Sequence, residues 1–264
     1  FASSLNNLGL IYKATSRLTH AEKAYFQSLE YKTEPANMVS TIMNIASIKF
    51  LRGDCIEAAE LYLKGLEISK EEGLRYAEGG AIKSIGDVFF ELGDYKTARE
   101  HYIESLGIME ETGNRLDEAR TRINLANTLI SLRKLSESER ELALSEKIYG
   151  ELKSTVDIDE LNIAWASLHF HREEFSEAKD RLERILLETE EASLTSANCK
   201  YNLAIIELKF DHLESERLLR EALVLYEKLG YSKPKKIVAM GFGDPSEEWD
   251  YPPENWEELL YGKN

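Results

Sequence analysis

Proline, cysteine and long apolar runs are what this 264-residue chain has least of. There are five prolines, and Pro35 alone precedes Pro234, so nearly all of the first 233 residues lack the side chain that interrupts helices. Two cysteines, Cys55 and Cys199, are too few and too far apart for a disulfide framework or a paired-cysteine zinc site. They read as reduced, partly buried thiols of a cytoplasmic protein. No apolar stretch approaches the roughly 20 residues needed to span a bilayer. Basic side chains are outnumbered, 33 Lys and Arg against 48 Asp and Glu, for a net charge of −15. Phosphate binding needs clustered cations, so a nucleic-acid partner is not expected, nor is an anionic membrane surface.

Catalytic signatures are missing as well. The chain has no Gly-rich phosphate loop and no Gly-x-Ser-x-Gly elbow. Its five histidines, His20, His101, His169, His171 and His212, are scattered. His169 and His171 are two apart and point to different sides of a helix. His169 and Glu173 have metal-ligand spacing, but Glu173 falls in an expected turn. We therefore expect no enzyme activity, no cofactor and no metal.

What is present is a repeat. The pairs Leu8-Gly9, Ile45-Ala46, Ile85-Gly86, Leu125-Ala126, Trp165-Ala166 and Leu203-Ala204 recur every 37 to 40 residues. Thirteen residues after the first member of each pair come Ala21, Ala58, Ala98, Ser138 and Ala178, with Ser215 one residue early in the sixth copy. Four residues further lies a bulky side chain: Tyr25, Tyr62, Tyr102, Leu142, Leu182 or Leu219. Small residues suit places where two helices cross closely, and large ones fill the space between crossings. Residues 79–108 show the unit best, with one apolar stripe through Ile85, Gly86 and Phe89, a Gly93-Asp94 turn, and a second stripe through Tyr95, Ala98, Tyr102, Ser105 and Leu106. A helix pair this short needs copies of itself to bury both stripes.

The pattern resembles the tetratricopeptide repeat, with its Leu-Gly pair, an aromatic three residues on, and Ala followed by Phe or Tyr in the second helix. Residues 5–28 and 82–106 carry the likeness best. The fourth copy departs most, with Leu129, Ser138 and Leu142, while the fifth and sixth have His169 and Glu207 at the first aromatic place. A 40-residue spacing exceeds the usual 34. It is similar to that of kinesin light chains, the Leu-Gly-Asn spindle scaffold, the bacterial maltose activator and Rap-type peptide receptors. The resemblance implies an all-α fold, a right-handed α-α superhelix (solenoid) of about six helix-turn-helix repeats over residues 1–230. Gly73 and Gly113 read as helix stops. Residues 231–264 read as a capping helix, Lys233 to Phe242, followed by an acidic tail containing Trp249, Tyr251 and Trp256. That tail packs either on its own array or in another molecule's groove, so self-association through it is one expectation.

The resemblance also implies a concave groove for a peptide or protein segment. Counting ~100° per residue around the first helix of each copy places Asn7, Asn44, Asn124 and Asn202 on the groove side, with Asn127 one turn beyond Asn124. Asn124-Leu125-Ala126-Asn127 is similar to the Asn-Leu-Gly-Asn run of that scaffold. The third and fifth copies have Ser84 and Ala164 instead. These amides either hold a ligand backbone or brace neighbouring helices. Phe50, Phe90, Ile130, Phe170 and Leu208 form an apolar edge that is either a ligand floor or packing against the next repeat. Lys83, Arg120 and Tyr201 add polar contacts, with Lys83 placed to pair with Asp87. The dicarboxylate clamp of chaperone-binding repeats does not fit, because Asn6, Leu10, Asn44, Gly80 and Ser84 occupy its places. The expected function is a non-enzymatic scaffold for a neutral-to-basic peptide or protein segment. The alternative is the sensing domain of a larger regulator.

Overall fold

A computed structural model describes residues 2–31 and 34–231, and the expected capping helix and acidic tail lie outside them. Among the described residues there are twelve α-helices and no strand. The described residues form two compact units that meet in sequence at Thr112-Gly113. The first unit holds α1 (Ala2–Ala14), α2 (Leu18–Leu29), α3 (Pro35–Leu51), α4 (Cys55–Glu71), α5 (Arg75–Glu91) and α6 (Tyr95–Thr112). The second holds α7 (Arg115–Ser131), α8 (Leu135–Leu152), α9 (Ile158–His171), α10 (Phe175–Glu188), α11 (Leu194–Glu207) and α12 (His212–Leu229). In each unit consecutive helices pack on one another, and odd-numbered helices also touch the next odd-numbered one (α3 with α5, α7 with α9, α9 with α11).

The repeat pattern explains the packing. Ala21, Ala58, Ala98, Ser138, Ala178 and Ser215 are all fully buried at the helix crossings. Where Ser replaces Ala its hydroxyl finds an acceptor on the partner helix. Ser138 Oγ donates to the Ala126 carbonyl at 2.9 Å and Ser215 Oγ to the Ala204 carbonyl at 2.8 Å. A second row lies seven residues on from the first. Ser28, Ser105 and Ser145 are fully buried and donate to the carbonyls of Ala2, Gly79 and Ala119. Each ties an even-numbered helix to the first turns of the odd-numbered helix before it, satisfying buried hydroxyls that would otherwise cost about 1–3 kcal/mol apiece.

Turn chemistry sets where helices stop. Gly73 and Gly113 adopt left-handed φ values of +64° and +68° just after α4 and α6, as their sequence positions predict. Pro35 opens α3, where its missing N–H costs nothing. In the second unit Glu118 is almost fully buried. It is held by Arg115 Nη1 at 2.5 Å and Arg122 Nη2 at 2.9 Å, and Arg122 also reaches Glu141 at 2.6 Å. A buried carboxylate is tolerated there because two guanidinium groups surround it.

Candidate functional site

In the first unit polar side chains link α1 to α3. Asn6 Oδ1 accepts hydrogen bonds from Thr41 Oγ1 at 3.2 Å and Asn44 Nδ2 at 3.3 Å, linking α1 to α3. Two turns after Asn6 on the same face, Lys13 Nζ donates to Ser47 Oγ at 2.8 Å, and Ser47 donates in turn to the Asn44 carbonyl. On α5, Lys83 Nζ lies 2.7 Å from Asp87 Oδ2, the expected pair, and Tyr102 donates to the other carboxylate oxygen at 2.8 Å. Burial lowers the Lys13 ammonium below its ordinary pKa, and the nearby Lys83 lowers it further. Burial, then the Asp87 charge, raises the phenols of Tyr62 and Tyr102.

The sequence reading placed Asn7 on this face. The structure leaves Asn7 exposed and turns Asn6 toward α3, while Asn44 does what a brace would do. Phe50 is half-buried, and Phe90 sits edge-on to Tyr95 with centroids 5.4 Å apart. Lys13 and Ser47 were passed over, although the seven-residue step from Asn6 to Lys13 was a signal that could have found them.

In the second unit the corresponding helices are α7, α9 and α11. Asn124 and Asn127 are half-buried on α7, and the Asn127 amide makes no hydrogen bond to another described residue. Arg120 is engaged, at 2.6 Å from Asp157 and 3.0 Å from Asp117. Burial works to lower its pKa, and those two carboxylates more than offset it. Asn202 Nδ2 donates to the Asn198 carbonyl of its own helix at 2.8 Å, and the half-buried Tyr201 lies beside it in sequence. The expected apolar edge is packed in part. Ile130 is buried, and Phe170 meets Phe175 at 5.7 Å with Lys209 above both rings. His169 Nδ1 lies 2.6 Å from Glu174, the neighbour of the Glu173 considered above. Among the described residues no three metal-ligating side chains come together.

Family models described as tetratricopeptide repeat match residues 80–151 and 2–34. These helix pairs are tetratricopeptide repeats. Solved structures agree on the fold. The apo form of RapI superposes with a TM-score of 0.71 at 18% identity, covering 86% of this chain and 84% of that one. NprR in complex with its cognate peptide NprX gives 0.67 at 18% identity, covering 93% and 74%. The Rap conjugation gene regulator of plasmid pLS20 in complex with the Phr* peptide gives 0.62 at 9% identity, covering 86% and 75%. At these identities the likeness is one of fold. Among the described residues no helix of this repeat chain is long and apolar enough to cross a membrane.

Proposed function

We propose that this tetratricopeptide-repeat chain is a non-enzymatic interaction module that binds an extended peptide or protein segment along the polar face of the odd-numbered helices of its second unit. The observation that carries this reading is the set of half-buried amides and cations on that face, with the half-buried Asn127 amide bonded to no other described residue. A half-buried amide has already lost much of its water, so it gains by meeting a peptide backbone, which offers both a donor and an acceptor at each residue. The fold shared with NprR and the pLS20 Rap regulator, both solved with peptides, supports the same reading. Conjugation gene regulation, named for the latter, favours a second reading in which peptide capture by this array governs another domain.

The test is selection of binders from arrays of randomised 12-residue peptides, followed by titration of the best binder. Asn127→Ala should weaken that binder by about 1–3 kcal/mol, roughly 5- to 150-fold, if the amide bonds a buried ligand backbone. Unchanged affinity would refute this placement of the ligand.

A further inference from the structure

Helix α1 has one side that no other described element covers. Asn6 turns toward α3, and a Cβ on Gly9 would run into the Tyr25 ring, so two sides of α1 are taken by α3 and α2. A third carries Ser4, Leu8 and Ile11, whose spacing of four and three residues puts them in one stripe. All three are exposed, Ile11 by 60%. In the other copies the same places are closed. Thr41, Ala81, Thr121, Leu161 and Cys199 stand where Ser4 does, and all are buried. So are Ile48, Val88, Thr128, Leu168 and Ile206, which stand where Ile11 does. In the first unit a helix closes them, since Ile45 and Ile48 of α3 cluster with Leu18, Ala21 and Tyr25 of α2. The α1 stripe is therefore a helix-stacking surface left open. It is also free of charge. α1 contains no acid, and every exposed residue from Ala2 to Ala14 is uncharged, in a chain that is 31% charged.

We infer that this stripe is a self-association surface, at which two copies of the chain pack α1 against α1 about a two-fold axis. Charge decides between a second copy and an unlike partner. Two chains of net charge −15 repel each other and can meet closely only where neither brings a carboxylate. A basic partner would instead be drawn to acidic surface. A two-fold contact also asks one patch to complement itself. Leu8, Leu10 and Ile11 do so by covering apolar surface on each other, and Ser4 and Asn7 do so because each offers both a donor and an acceptor. A helix about 20 Å long and ~10 Å across covers well under the ~800 Å² per partner of a standard interface. The dimer is accordingly a weak one, formed at micromolar rather than nanomolar concentrations.

Sedimentation equilibrium of the intact chain from about 1 to about 300 μM is the test. The mean mass should rise from 30.2 kDa toward twice that value. Ile11→Glu sets a carboxylate on the stripe of both copies and should raise the dissociation constant at least tenfold. Ser4→Glu should do the same, and it is safe for folding because an acid suits the first turn of a helix. Val224→Glu, a control at an exposed place on α12, should leave the constant unchanged. Raising NaCl from about 0.05 to about 0.5 M should tighten the dimer, because salt screens the repulsion between acidic chains and leaves an uncharged contact alone. A chain that stays monomeric throughout would overturn the inference and leave the stripe to a different helix. A dimer that survives both stripe substitutions, as association through the acidic tail would, also overturns it. So does equal loss with Val224→Glu, or weakening by salt. Peptide binding by the second unit is untouched by any of these results.

Discussion

At the crossing of α5 and α6 a single missing methyl decides how closely two helices approach. A Cβ placed on Gly86 would lie 2.9 Å and 3.1 Å from ring carbons of Tyr102 and 3.3 Å from the His101 Cβ. Tyr102 is held at both ends, by burial of its ring and by its hydrogen bond to Asp87, so it cannot swing aside freely. Gly86→Ala should therefore cost about 1 kcal/mol. Overpacking costs about 1–3 kcal/mol, and replacing a mid-helix glycine returns about 0.5–1. Copies four to six pair Ala126, Ala166 and Ala204 with Leu142, Leu182 and Leu219, the compensating combination. Placing Gly86→Ala in a Tyr102→Leu background should accordingly remove the penalty of the first change. Urea unfolding of the two single variants and the double variant measures this coupling, and additive losses would refute it. While the second copy joins Ala46 to Tyr62, the Gly-Tyr pairing of the first and third copies and the Ala-Leu pairing of the last three were legible in the sequence. Which neighbour of a groove residue turns inward was not, since Asn6 and Asn7 differ by only ~100° of helix rotation.

Elements end where the backbone turns left-handed, and the repeats meet that demand unequally. The turns inside the first five helix pairs place Ser16, Gly53, Gly93, Arg133 and Glu173 at φ values of +55°, +86°, +84°, +61° and +63°. A side chain there costs about 1–2 kcal/mol, while glycine costs about 0.5–1 kcal/mol through the freer unfolded chain. Arg133→Gly and Glu173→Gly should therefore each stabilise the second unit by roughly 0.5–1 kcal/mol, read as a higher urea midpoint at constant slope. A fall in midpoint would mean that the side chains hold the turns in place. The Gly93-Asp94 turn and the turn at Glu173 are legible from the repeat, whereas the left-handed backbone at Arg133 and Glu173 is invisible in their own residue types. The apolar edge shows the converse limit. Phe50, Phe90, Ile130 and Phe170 have the right period for a ligand floor, but the same period serves packing. Ile130 is buried in the core of its unit, and Phe90 leans on Tyr95.

For the molecule as a whole, the charge balance makes acid the informative perturbation. His101 is stacked on Phe89 with centroids 5.3 Å apart, and burial lowers its pKa against the opposing pull of Glu104, Glu100 and Asp94. The unfolded chain then binds a proton more readily than the folded one below about pH 6.5, so stability falls as pH drops from there toward the folded value. Glu111, Glu139, Glu214 and Glu221 are held below the ordinary carboxylate value, first through hydrogen bonds from Arg75, Arg172, Arg217 and Lys200. Their contribution is complete above pH 4.5 and disappears below it. Asp159 and Glu160, raised by burial, work in the opposite direction and soften this second decline. Melting temperatures measured between pH 8 and 4 should thus fall in two stages. His101→Phe should flatten the first stage and leave the second, because it removes an imidazole that titrates against burial while keeping a ring on Phe89. An unchanged first stage in that variant would assign the loss to other groups. Near the isoelectric point of about 4.9 the repulsion that keeps a chain of net charge −15 dispersed also vanishes, so the profile should be read from dilute samples with light scattering alongside.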